Sequence, residues 1–155
     1  MKRTSPWTLL LLGVSGIVVG WLFELFLVSI GRATLVPPYA LAISLVLLGV
    51  AVVAVAVPVR RVARGRPGAR VDPFYATRVL ALAKATGIAA AVFVGLMGGA
   101  VIFVASRPVV ATDLLWQSVA GFAASAALLV AAIVAENMCR IPPRDEDDHE
   151  AREIE

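Results

Sequence analysis

The side chains that could move protons, hold metals or attack a substrate are few in this chain and far apart. Glu24 lies inside the apolar run Trp7–Ile30, where a charged carboxylate costs about 3 kcal/mol or more. It is therefore either a proton or cation site, or a structural carboxyl kept neutral or paired with Arg107 or Arg32. No second acid or histidine stands inside the apolar runs to form a relay with it, and the structural reading is preferred. Lys84 and Glu136 mark the inner ends of the third and fourth apolar runs at similar depth, where an ion pair between helices would fix register. Cys139 is the single cysteine, so an intrachain disulfide and a cysteine-based zinc site are both excluded. The single histidine, His149, sits in an acidic tail and reads as solvated. No glycine-rich phosphate loop, zinc-type His/Glu spacing or serine with a histidine partner occurs, so no catalytic residue, metal or cofactor is expected.

The elements that carry these groups are set by composition. Apolar residues make up 60% of the 155 positions and charged residues 16%, against roughly a half and a quarter in globular proteins. The apolar residues come in blocks of about twenty, long enough as helix to cross a ~30 Å hydrocarbon layer. An all-α integral membrane protein follows, since in lipid the backbone must satisfy its own hydrogen bonds. Spans are expected near 7–30, 39–57, 86–105 and 114–135, together forming a four-helix bundle of two transmembrane hairpins within residues 1–141. The first block follows Lys2 and Arg3 like a signal peptide, but it is too long for one and closes on no small-residue cleavage site.

Between the halves lies PVRRVARGRPGARVDP, whose Pro and Gly residues argue against continuous helix and predict a loop over 58–72. Its arginines, Arg60, Arg61, Arg64, Arg66 and Arg70, are expected to meet lipid head groups. Asp72-Pro73 then signals a helix start, and 73–84 is amphipathic: either an interfacial helix or an inward extension of the third span. Residues 142–155 are acidic and follow Pro142-Pro143, which predicts a disordered tail.

The basic residues also give an orientation. Lys2, Arg3, the five loop arginines, Arg78, Lys84, Arg140, Arg144 and Arg152 fall on one side, and only Arg32 and Arg107 on the other. Positive charge is retained in the cytoplasm, which predicts a plasma-membrane protein with both termini inside. The net charge of +3 does not point to nucleic acid, because these residues flank membrane spans without interleaved aromatics.

Small residues predict how the helices meet. Gly87, Ala91, Gly95 and Gly99 recur every four residues in the third span, and Gly13, Gly16 and Gly20 share a face of the first, with Glu24 one turn beyond. Lipid gives apolar side chains no reason to leave it, so such faces are read as close helix contacts. The turns VSIGRATLVP and VASRPVVATD echo one another, which repeated membrane constraints explain better than a duplicated hairpin does.

The segments VDPFYATRVLALAKA (Val71–Ala85) and AENMCRIPP (Ala135–Pro143) resemble an actinobacterial membrane-protein family, domain of unknown function 3180. That resemblance implies a small multi-span protein, often encoded beside folate-biosynthesis genes, and carries over no functional residue. Taken together, the sequence points to a non-enzymatic assembly or accessory protein whose partners are the lipid bilayer and a membrane protein or further copies of itself. The alternative is a small oligomeric transporter of a metabolite, linked to folate biosynthesis by gene neighbourhood.

Overall fold

The computed structural model describes residues 6–32, 37–63, 73–107 and 112–139. They form four helices: α1 (Pro6–Ser29), α2 (Tyr39–Ala63), α3 (Pro73–Ala105) and α4 (Thr112–Met138). All four are long and apolar enough to cross a membrane. No strand occurs among the described residues.

Local chemistry sets the helix ends. α1 stops at Gly31, whose positive φ of 72° is open to a residue without Cβ. There the Gly31 N–H donates to Val28 and the Arg32 N–H to Leu27, closing the helix in a Schellman turn. α2 starts directly after Pro37-Pro38, with Leu41 N–H donating to the Pro38 carbonyl. α4 opens with Thr112 and carries Asp113 in its first turn, where a carboxylate complements the free N–H groups.

One boundary differs from the sequence expectation, and a second takes one of its two expected forms. α2 does not end at Val57; it runs through Pro58 to Ala63, so Arg60 and Arg61 are helical. Pro58 leaves the Ala54 carbonyl without its usual donor, but Ala56 and Val59, on either side of it, are buried in a cluster with Val52, Val79, Ala83 and Ala135. That packing carries the helix past the proline. Residues 73–84 take the second of their two expected forms, an inward extension: they are the first turns of α3, unbroken for 33 residues. At 1.5 Å per residue α3 is about 50 Å long, so it tilts or projects beyond a ~30 Å apolar layer. Arg64, Arg66 and Arg70 and the acidic tail lie outside the described residues.

The contacts also say how the four expected helices are ordered. α1 packs on α3 alone, α3 on α4, and α4 on α2, with a minor α2–α3 contact; α1 and α2 do not touch among the described residues. The order across the molecule is α1–α3–α4–α2, an open row. Residues 30–38 can span up to about 30 Å, so the connection lets α1 and α2 separate. Close backbone approach between α1 and α3 then decides where α1 goes.

Candidate functional site

The α1–α3 crossing is built from glycine. A Cβ at Gly16 would lie 2.9 Å from the Gly95 Cα, and one at Gly20 would lie 2.6 Å from the Leu96 carbonyl oxygen. A Cβ at Gly99 would meet the Ile17 oxygen at 2.5 Å, and one at Gly95 would collide with the Gly13 oxygen. The obstacle is backbone in each case, which cannot swing aside, so only glycine permits this separation. Gly13 is looser, its would-be Cβ standing 4.0 Å from the Ala91 oxygen.

The ladder Gly87–Ala91–Gly95–Gly99 does not face one partner. A four-residue step overshoots a helical turn by about 40°, so twelve residues rotate the stripe by about 120°. Accordingly Gly95 and Gly99 meet α1, while a Cβ at Gly87 would touch Ala132 of α4 at 3.7 Å. α4 answers with its own small face: Ser118, Ser125 and Ala132 are buried, and Glu136 at its end is half-buried. Both serine hydroxyls donate one turn back, Ser118 to Leu114 and Ser125 to Gly121, at 2.9 and 2.8 Å. That leaves no unmet donor on the face.

Glu24 continues the Gly16–Gly20 face by one more turn and is 3% exposed. It borders a cavity of about 260 Å³ between α1 and α3, lined also by Val19, Gly20, Phe23, Leu96, Met97 and Ala100. Among the described residues that line it, Glu24 alone ionises, and it already engages a partner. The Arg107 guanidinium lies 4.7 Å from the centroid of the Phe103 ring, a cation–π contact at the end of α3.

At the opposite end, Lys84 and Glu136 are both half-buried, and both engage partners. Their chain neighbours Ala83 and Ala135 pack in one cluster, which places the two charges at the same level of the α3–α4 contact. The Tyr75 hydroxyl approaches the Val55 carbonyl at 3.5 Å, the outer limit of a hydrogen bond, one residue from the carbonyl that Pro58 leaves open. Cys139 packs against the same cluster, and burial pushes its thiol pKa up.

Three close contacts escaped the sequence reading. A Cβ at Gly121 would press on Pro37 at 3.1 Å and the Met97 sulfur at 3.2 Å; one at Gly49 would press on Ala131 at 3.3 Å. Gly98 faces Phe122 and Ile17. Gly121 stands one turn before Ser125, so the α4 small face held a readable signal; Gly49 and Gly98 are isolated from any ladder. A second cavity, about 480 Å³ and wholly apolar-lined, runs between α2 and α4 along Ala42, Val46, Ala120 and Ala127.

Among the described residues no three His, Cys, Asp or Glu side chains gather as a metal-donor set. Every fully buried side-chain polar atom there has a hydrogen-bond partner. What the arrangement offers is one carboxyl in an apolar cavity and helix surfaces fitted for close contact. No curated protein and no solved structure matches the chain significantly. The model of one family, described as protein of unknown function (DUF3180), matches residues 9–143. With that match spanning all four helices, this four-helix chain with membrane-crossing segments belongs to the DUF3180 family.

Proposed function

We propose that this membrane protein acts without catalysis, by assembly, as an accessory subunit that associates laterally with a membrane partner or with its own copies. The open row α1–α3–α4–α2 carries this reading. Its end helices are the least covered: 17% of the α1 span and 22% of the α2 span are buried, against 50% of α3. A closed four-helix bundle would give each helix two neighbours, whereas here α1 has one. In lipid such flanks associate through shape and small residues rather than hydrophobicity. The Arg60–Arg61 end of α2 supplies a basic surface on the proposed cytoplasmic side, and the strongly asymmetric placement of arginines supports a plasma-membrane site with both termini inside. Extraction from the native membrane into lipid nanodiscs, followed by identification of co-migrating chains, tests the proposal. A defined complex or homo-oligomer is expected; a strictly solitary monomer would overturn it.

The second reading, a small oligomeric transporter, is favoured by the buried Glu24 beside its cavity. It requires that flux depend on Glu24 and that the transporting unit contain more than one copy.

A further inference from the structure

We propose that the acidic segment of residues 145–155 docks on the chain's own basic face, where α2 ends and α3 begins. The inference stands apart from the assembly reading, because both surfaces belong to one chain. Three helix ends converge at this face. Val59 and Val79 pack in one cluster with Ala135, and Met138 and Cys139 pack against it. Arg60 and Arg78, the chain neighbours of those two valines, therefore stand at the level where α4 ends. Arg61 and Arg78 are exposed, and Arg60 is half-buried. With Lys84 these three make a surplus of positive charge. Glu136 is the one described acid at this end, and it can balance no more than one of the four cations.

The complementary charge lies a short way along the same chain. Residues 145–155 hold seven of the eleven acidic residues and one arginine. Asp145 stands six residues beyond Cys139, so the acidic run begins within about 20 Å of the cluster. Pro142-Pro143 oppose a longer α4 that would carry the acids away along the helix axis. A tether this short holds the segment at an effective concentration in the millimolar range. It also brings several carboxylates at once, where a lipid phosphate brings a single charge. The chain's own segment is therefore the favoured occupant over an anionic lipid. Once docked, it covers the basic surface, and an acidic partner has to displace it.

The test is a distance measurement on the full chain, one copy per phosphatidylcholine nanodisc. Spin labels at Ala81→Cys, exposed on α3, and at Ala151→Cys, in a Cys139→Ser background, are read by double electron–electron resonance. The distance distribution is expected to be narrow at about 0.1 M salt and broad at about 1 M, as the screening length falls from about 10 to about 3 Å. Arg60→Gln, Arg61→Gln and Arg78→Gln combined should lose the narrow component at low salt. Asp145→Asn, Glu146→Gln, Asp147→Asn and Asp148→Asn combined should lose it equally. Circular dichroism reports whether each variant is folded, and if the arginine variant is not, the acidic-segment variant and the salt series decide. A broad distribution in the labelled parent at low salt would overturn the proposal, as would a narrow one that survives either set of substitutions. Repeating the measurement with phosphatidylglycerol in the disc separates the occupants. A distribution that stays narrow supports the docked segment, and one that broadens there would make anionic lipid the occupant and overturn the proposal.

Discussion

At the scale of single residues, the environment of Cys139 makes a measurable difference to its chemistry. The thiol is half-buried against the cluster around Ala56 and Ala135, and desolvation disfavours the thiolate, so the folded-state pKa lies above the ordinary value. Only the thiolate attacks an alkylating reagent. At any pH below that raised pKa, the native protein therefore holds less thiolate than the unfolded chain and reacts more slowly. Alkylation by iodoacetamide should rise with pH along a curve displaced upward from that of the same protein unfolded in sodium dodecyl sulfate. Superimposable curves would show that the site is open to water. The desolvation itself was not legible in the sequence, where Cys139 stands between Met138 and Arg140 at an apparent helix end. It depends on α2 arriving at the same place, and helix α2 was expected to stop at Val57. Glu24 was legible as a buried carboxyl because its i−4 and i−8 neighbours are glycines; the cavity beside it was not, since that void belongs to α3.

At the scale of elements, one clearance at each glycine decides how tightly α1 can sit on α3. Gly13 and Gly16 lie one turn apart on the same face but differ in what a methyl group would meet: open contact at 4.0 Å against the Gly95 Cα at 2.9 Å. Gly13→Ala should be neutral, or stabilise by about 0.5–1 kcal/mol through reduced backbone entropy. Gly16→Ala forces two backbones apart and should cost about 1–3 kcal/mol, as overpacking does elsewhere. Resistance of the folded chain to unfolding in mixed detergent measures both. Equal effects at the two positions would mean that α1 does not rest on Gly95. The sequence announced these faces through four-residue spacing, yet spacing alone cannot say which helix a face meets. The 40° drift per step splits the α3 ladder between α1 and α4, so Gly87 and Gly99 serve different partners. The proline at 58 misled for a related reason: local propensity argues for a break, and burial of Val59 and Ala56 outweighs it.

At the scale of the whole molecule, the alternation of four membrane-crossing helices fixes which ends share a side once the orientation of any one is known. α1 and α3 run parallel, as their contacts at Gly16–Gly95 and Gly20–Leu96 require, and α4 returns antiparallel to α3 through Gly87–Ala132 and Gly98–Phe122. The arginine-rich connection between α2 and α3 therefore lies on the same side as the start of α1 and the end of α4. Of the described basic residues, Arg60, Arg61, Arg78 and Lys84 fall toward that side, and in the sequence only Arg32 and Arg107 of the fourteen lie in the opposite connections. Moving so many cations across a membrane against its potential is strongly disfavoured, so that side should be the cytoplasm. A single labelling experiment on intact cells tests this. In a Cys139→Ser background, a cysteine replacing Gly31 or Arg107 should react with an impermeant maleimide, because both residues are exposed at the other side. A cysteine replacing Arg61, exposed near the end of α2, should react only after the cells are permeabilised. Labelling of Arg61→Cys alone in intact cells would invert the orientation. It would also remove the argument that places the basic end of α2 where a cytoplasmic partner or inner-leaflet anionic lipid could meet it. Labelling at all three positions would mean that at least one helix does not cross, and the row would have to lie partly in the membrane surface.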